Sequence, residues 1–504
     1  QEEAKMKKLL SLLLALAVAF AIPAGAGLYV ADAAANGTAI STADDLKAME
    51  KNPSGSYYLA NDIEVPANMM LFTNYNKPFT GTLDGNGHAI KGYTYTSSAE
   101  WTEQAALFGY TKNATFKNLK MTNVNISLNQ AGTVAPLVAA TTGGTFSNIS
   151  VSGKITGKYM RIAAGIVAYS YKGGTFTNCK NSADVTVTKA DQGSTIAGVA
   201  SFLSSEASMK NCSNSGKISI SGNIEGDSFI AAGVSSYVGK TTSCRNSGAI
   251  TVSAIGNGTM NESSVAAGVA AEVDTAVSCS NTGKISMKAT IEAVDPNRVG
   301  GVFGEVTKSA SKCYNKGTVS YSGKSYRGVE VGGLSTYAYK INQSYNKGSV
   351  TVKMTGTKKA DDNKIGGICG ETKDMRNCYN TGNVTATGKA FVGGISGYAT
   401  PWGEKVVNNY NKGKVKAATK GAFKGQVIGG YEGADIVQKR NIYDNYYTGS
   451  GKAYGWGAVT WHKWVAKASK VSSIKAANCP KLSSKYWTYS SKYGRLILKN
   501  NKEK

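Results

Sequence analysis

The chain has 504 residues and carries 57 Lys and Arg against 32 Asp and Glu, a net charge of +25, with only two histidines. Neither histidine lies in an HExxH setting, which excludes a zinc protease centre of that kind from the chain. Having 8 prolines beside 59 glycines suits a protein of strands, where each missing N–H would interrupt a ladder.

Residues 1–33 read as a secretory signal peptide. Lys5, Lys7 and Lys8 precede an apolar run over 9–22, and Ala31-Asp32-Ala33 supplies a small-residue exit; Met6 is the expected start. The run is too short for a mature membrane anchor, so no transmembrane segment is expected after cleavage. Residues 34–100 follow as an N-terminal cap and first coil. There STADDLKAMEKN, from Ser41, predicts a short amphipathic helix: Ser41 and Thr42 each stand three residues before an Asp, a capping-box spacing, and Leu46 and Met49 share a face. This helix is expected to cover the first coil, whose open end would expose core and sheet edge. A strand over 57–65 and a turn at Gly85-Asn86-Gly87 come next.

Residues 101–450 are built on one repeat, seen most clearly as NCYNTGNVTATGKAFVGGISGY at 377–398. Aligned on the residue after its first Asn, it places Leu119, Ile149, Cys179, Cys212, Cys244, Cys279, Cys313, Ser344, Cys378, Asn409 and Ile442 in one column, at intervals of a little over thirty residues. Such a period marks a repeat architecture. Two further columns keep register: Asn181, Asn214, Asn246, Asn281, Asn315, Asn346, Asn380 and Asn411, then Gly216, Gly248, Gly283, Gly317, Gly348, Gly382 and Gly413. Both residue types tolerate left-handed backbone, so each repeat is expected to turn its corner at these columns. An alternating strand (KISIS, AITVS, KISMK), a polar loop and a small-residue strand complete the repeat, with no helical period. One bend per repeat and no helix predict an all-β, right-handed parallel β-helix, one coil per repeat, about 50 Å long at about 4.8 Å per coil.

The strands VGGVFGE (299–305), IGGICGE (365–371) and VGGISGY (392–398), with YNKG or YNTG before them, resemble GLUG motifs. That family is similar to the repeat regions of secreted bacterial surface proteins and of immunoglobulin-A-specific metalloproteases, here without the protease domain. The resemblance implies the β-helix and an extracellular location and says little about chemistry. Ala232-Gly233 and Ala267-Gly268 depart from its Gly pair.

Six of the eight cysteines fall in the aligned column, where Leu119, Ile149 and Ile442 also stand, so they are expected to point inward. Stacked side chains share a direction, which strains a disulfide, and they are read as buried thiols packing as small hydrophobes. The column has no CxxC pair and no nearby His, so no metal and no cofactor is expected. Glu272, Glu305 and Glu371 share the position after the Gly-rich strand. On adjacent coils, Glu272 and Glu305 would lie about 5 Å apart, the separation of a retaining glycosidase pair. Elsewhere that position holds Tyr110, Tyr169, Phe202, Tyr237, Tyr337 and Tyr398, which favours a rim of long side chains over a catalytic site. No catalytic residue is assigned, and His88 and His462 are read as structural or surface residues.

The preferred ligand-binding candidates are the corner tyrosines Tyr314, Tyr345, Tyr379, Tyr410 and Tyr443, expected to face out, with Lys316, Lys347 and Lys412 two residues beyond three of them. A row of rings suits stacking on sugar, and it equally suits a ladder that only stabilises the sheet. Residues 401–504 carry 20 Lys and Arg against 5 Asp and Glu, which favours an anionic polymer at the cell surface; no motif for specific nucleic acid binding is present. Residues 451–504, with Trp456, Trp461, Trp464 and Trp487, and with Trp402 just before them, are read as a C-terminal cap. No LPxTG motif occurs, so attachment is expected to be non-covalent or through a partner. The reading is a monomeric, secreted, non-catalytic, adhesin-like surface protein, extracellular or cell-wall associated, that binds glycan or anionic cell-wall polymer. A polysaccharide-degrading lyase or glycosidase and a purely structural spacer are the alternatives.

Overall fold

The structure, a computed structural model, describes residues 37–503 apart from 191–192, 224–227, 256–258, 261–262, 291, 294, 325–327, 356–362, 401–403, 432–440 and 458–466. The signal segment, His462, Trp402, Trp461 and Trp464 lie outside the described residues. What is described is a parallel β-solenoid, the fold class expected. Strands of successive coils pair in parallel and hold register: Lys120 with Ser150, Lys180 with Ser213, Arg245 with Ser280, Tyr314 with Tyr345 and Tyr379 with Tyr410. Alternation enforces that register. In Val350–Thr355, Val350, Val352 and Met354 are buried while Lys353 and Thr355 are exposed, and a slip of one residue would exchange the faces. Among the described residues no helix is long and apolar enough to cross a membrane.

The aligned column does point inward: Leu119, Ile149, Ser344, Asn409 and all six of its cysteines are fully buried. All eight cysteines of the chain are free and buried. The Cys179 and Cys212 thiols sit 3.4 and 3.5 Å from the carbonyl oxygens of Phe146 and Phe176, one coil back. Burial pushes the Cys313 and Cys369 thiols well up and Cys378 to about 12, so they behave as small apolar side chains. Alongside them Phe116, Phe146 and Phe176 stack with centroids 5.4 and 4.8 Å apart.

Two expectations about the repeat need correction. The last rung is not Ile442, which pairs with Val406, but Asn445, whose amide oxygen accepts from the Asn409 amide at 3.0 Å. Tyr446 therefore pairs with Tyr410, and Tyr443 pairs with Val407 outside the tyrosine column. The sequence misleads here because Asn441-Ile442-Tyr443 imitates the corner that Asp444-Asn445-Tyr446 makes.

The left-handed bend, likewise, lies one residue before the aligned column. Asn118, Asn148, Asn178, Asn211, Ser243, Ser278, Lys312, Gln343, Asn377, Asn408 and Asp444 all have φ between 48° and 59°. The second Asn column and the Gly after it have a different task. From Asn181 to Asn380 each side-chain amide donates to the next coil's Asn oxygen, as in Asn246 to Asn281 at 2.8 Å and Asn281 to Asn315 at 2.9 Å, and Asn411 receives the last of these bonds. The same amide also donates to the carbonyl two residues on, Asn281 to Gly283 at 2.8 Å, and Asn281 Oδ1 accepts from the Gly283 N–H at 3.1 Å. Every donor and acceptor of a fully buried amide is thus used.

Glycine makes this ladder possible on both sides. A Cβ on Gly283 would lie 2.0 Å from the Gly248 carbonyl oxygen of the preceding coil, and one on Gly268 would lie 2.7 Å from Cγ of Asn281. Gly268 is the second glycine position of the Gly pair, which explains why Ala232-Gly233 and Ala267-Gly268 lose the first glycine and keep the second.

At the N-terminal end Thr42, not Ser41, caps the helix Ala43–Ala48. Its hydroxyl accepts from the Asp45 N–H at 3.1 Å, while Asp45 accepts from the Thr42 N–H at 2.9 Å. Leu46 and Met49 are fully buried in the core. At the other end Tyr454–Gly457 and Ala468–Lys470 still belong to the stack, pairing with Ile428–Tyr431 and Asn445–Tyr447. Residues 471–503 then run back along the flank of earlier coils, forming a strap.

Replacing one amide tests the ladder. Asn281→Ala strands the Asn246 donor in a buried site, and a buried orphan costs about 1–3 kcal/mol in addition to the lost bonds. Denaturant unfolding should show a loss of about 2–4 kcal/mol, whereas Ser286→Ala on the outer face of the same coil should change little.

Candidate functional site

The corner tyrosines do turn away from the main core, but they are not exposed. Tyr314, Tyr345, Tyr379 and Tyr410 stack with centroids 5.1, 4.9 and 5.0 Å apart and planes within 8° of parallel. Tyr345, Tyr379 and Tyr410 have no exposed surface, because Ile474, Cys479, Leu482, Trp487, Leu496 and Leu498 of the strap close over them. Trp487 lies 6.0 and 5.4 Å from the Tyr379 and Tyr410 rings. The same register position holds Lys120, Ser150, Lys180, Ser213, Arg245 and Ser280 in the earlier coils. Tyrosine begins near the strap's far end, where the Asn501 amide donates to the Cys313 and Gln343 carbonyl oxygens at 3.3 and 3.0 Å.

One ionic knot fastens the strap. The Glu503 side chain has no exposed surface and accepts from Lys347 at 2.7 Å, Tyr379 at 2.6 Å and Arg495 at 2.5 Å. Burial alone would raise its pKa, yet these three donors overcome that and hold the carboxyl below its ordinary value. Lys347 is thus committed to the strap. Lys316 sits 5.7 Å over the Tyr314 ring, and Lys412 is exposed.

The glutamate column offers more to a ligand. Tyr110, Ala140, Tyr169, Phe202, Tyr237, Glu272, Glu305, Tyr337, Glu371, Tyr398, Gly430 and Trp456 follow one another in register. A second column, Ile230, Val265, Arg298, Glu330, Lys364, Phe391 and Phe423, runs beside it. The closing glycine of the xGGhxGy strand lets the two meet: a Cβ on Gly397 would lie 2.3 Å from the Ile365 backbone nitrogen. Arg298 accordingly bridges Glu305 at 3.2 Å and Glu330 at 3.3 Å, while Lys364 bridges Glu371 and reaches Glu330 at 3.6 Å. Further on the band turns aromatic, with Phe391 5.0 Å from Tyr398 and 5.8 Å from Trp456.

Within the band Glu272, Glu330 and Tyr337 hold their protons more tightly than usual. Burial first, then the neighbouring Glu305, pushes the Glu272 carboxyl up. Burial also raises Glu330 against the pull of Lys364 and Arg298, and it pushes the Tyr337 hydroxyl up to about 12 with help from Glu371 and Glu305. Sequence reasoning found the glutamates and missed Arg298, Glu330 and Lys364. Their signal was available: each stands directly before a Gly-pair strand, and Arg298 and Lys364 lie seven residues ahead of the glutamates they contact. His88 is elsewhere, 3.4 Å from Asp62, whose carboxyl is held at about 2 chiefly by Lys91. Among the described residues no three His, Cys, Asp or Glu side chains are grouped to hold a metal.

With this geometry in view, the comparisons with known proteins place the beginning of the chain. Residues 28–153 match the model of the M26 IgA1-specific metallo-endopeptidase N-terminal region. The first coils are similar to that region. No curated protein matches the chain. Among solved structures, a crystal structure of a candidate immunoglobulin A1 protease from Bacteroides ovatus aligns over 93% of this chain and 95% of its own, at 13% identity and a TM-score of 0.25.

The strap provides a test. Glu503→Gln leaves Arg495 buried without its charge partner, and breaking such a pair costs about 3–5 kcal/mol. Limited proteolysis should then cut within 471–503 while the coils stay intact. Acid should act likewise: a carboxyl with a lowered folded pKa contributes stability above its ordinary 4.5 and loses it as pH falls through the folded value. Cleavage of the wild-type strap should therefore rise as the pH falls below the ordinary 4.5, and cleavage of the variant should not change there.

Proposed function

We propose that the protein is a secreted, non-catalytic, adhesin-like surface protein that binds glycan along the outer band rather than along the corner tyrosines. The observation that carries this reading is the half-buried band, in which rings and carboxylates share one column at coil spacing from Tyr237 to Trp456, while among the described residues the strap closes the tyrosine stack. Rings stack on the apolar faces of sugars, and carboxylates accept from their hydroxyls. The half-buried Glu272, Glu305 and Glu371 outnumber Arg298 and Lys364, so the band suits neutral or amino sugars. The basic excess in 401–504 suits a separate, salt-sensitive hold on an anionic wall polymer. Similarity of the first coils to the N-terminal region of IgA1-specific endopeptidases supports a bacterial extracellular setting.

A second reading has one observation behind it. Glu272, with its raised pKa, pairs in register with Glu305, the arrangement of an acid and a nucleophile acting on a glycosidic bond. Against it, Arg298 occupies Glu305. A glycan array combined with a reducing-end release assay separates the two. The binding reading expects retention of particular glycans without release, and loss of that retention in the Tyr337→Ala, Tyr398→Ala double variant. Release that disappears in Glu272→Gln and in Glu305→Gln would replace it with the enzyme.

A further inference from the structure

Near its N-terminal end the outer aromatic column is interrupted. Tyr110 and Tyr169 occupy the shared position on either side of Ala140, so one coil lacks the ring that its neighbours supply. The gap opens into a cavity of about 280 Å³, near the lower end of the ~300–1,000 Å³ range of small-ligand sites. Tyr75 and Tyr171 also line it, and they are 60% and 54% exposed, the two most exposed large apolar side chains described. The rings meet edge-on: Tyr75 lies 5.5 Å from Tyr110 at 88° and 6.5 Å from Tyr171 at 73°. Edge contacts leave ring faces available, unlike the parallel stack under the strap.

The wall is anchored rather than loose. Phe79, which ends the loop carrying Tyr75 and Asn76, is fully buried, and its N–H donates to the Tyr110 carbonyl at 3.0 Å. The polar lining consists of Asn76, Lys112 and the threonines Thr111, Thr141 and Thr142, and the Thr111 hydroxyl is already bonded to that of Thr141 at 2.7 Å.

We infer that this notch is a binding pocket for a single saccharide ring, stacked between the tyrosines, with Asn76 and Lys112 engaging its hydroxyls or a carboxylate. Solvent-facing ring faces beside polar side chains are what a pyranose requires, since its C–H face is apolar and its edge is polar. The pocket extends the glycan reading to a site that shares no residue with the stretch from Tyr237 to Trp456, so either can fail alone.

The full chain can be tested by saturation-transfer NMR and titration with methyl glycosides of glucose, galactose and N-acetylgalactosamine and with glucuronic acid. At least one should receive saturation from tyrosine protons. Ala140→Tyr restores the ring found in the neighbouring coils, fills the gap, and should weaken that association about tenfold or more, as should Tyr171→Ala on the exposed wall. Tyr489→Ala on the strap, an exposed ring outside both the notch and the band, should leave it unchanged. No transfer to any of the four probes, or association in Ala140→Tyr equal to that of the wild type, would overturn the pocket.

Discussion

The buried asparagine ladder is the constraint on which the remaining architecture depends. A parallel solenoid brings every coil to the same corner, where backbone and polar side chain must pass close to the next coil with no water to share. The carboxamide suits that place because it both donates and accepts: it satisfies its own turn and hands one donor to the following coil. From Asn214 onward glycine then fills the two positions that face it, one against the carbonyl of the preceding coil and one against the amide itself. The most recognisable letters of the repeat are therefore parts of a single packing solution.

Much of this was legible in the chain alone. Period, alternation and the inward cysteine column follow from rules local to a coil, and they held from Leu119 to Asn409. The physical task of Asn and Gly was misread because both tolerate left-handed backbone. Those same residue types also fit a corner too close for any Cβ, and only coordinates separate the two requirements. The actual bend admits Ser, Lys and Gln as well as Asn, which blurs its column. The final rung slipped because two corner-like triplets lie three residues apart.

The tyrosine corner shows a different limit. Alternation tells which way a side chain leaves its strand, and the column does leave the core. It cannot tell what arrives from far along the chain to cover it, and here residues 471–503 return to coils more than a hundred positions earlier. In retrospect the change from Lys, Ser and Arg to Tyr marks the length of the strap. The glutamates were found because they share a column. Their cations were missed because they stand across a bend, joined by a glycine contact that periodicity does not reveal.

Taken together, one flank of the solenoid is closed by its own C-terminal strap, while the other presents rings and carboxylates at coil spacing. Both faces inherit their order from the ladder at the corner, so the ladder is what most needs direct observation. Hydrogen exchange of the side-chain amides in asparagine-labelled protein provides it. The account predicts strongly protected carboxamides for Asn214, Asn246, Asn281, Asn315, Asn346 and Asn380, each also showing a coupling across its hydrogen bond to the next coil. Exchange of these carboxamides at the rate of free asparagine, in a folded chain, would contradict it.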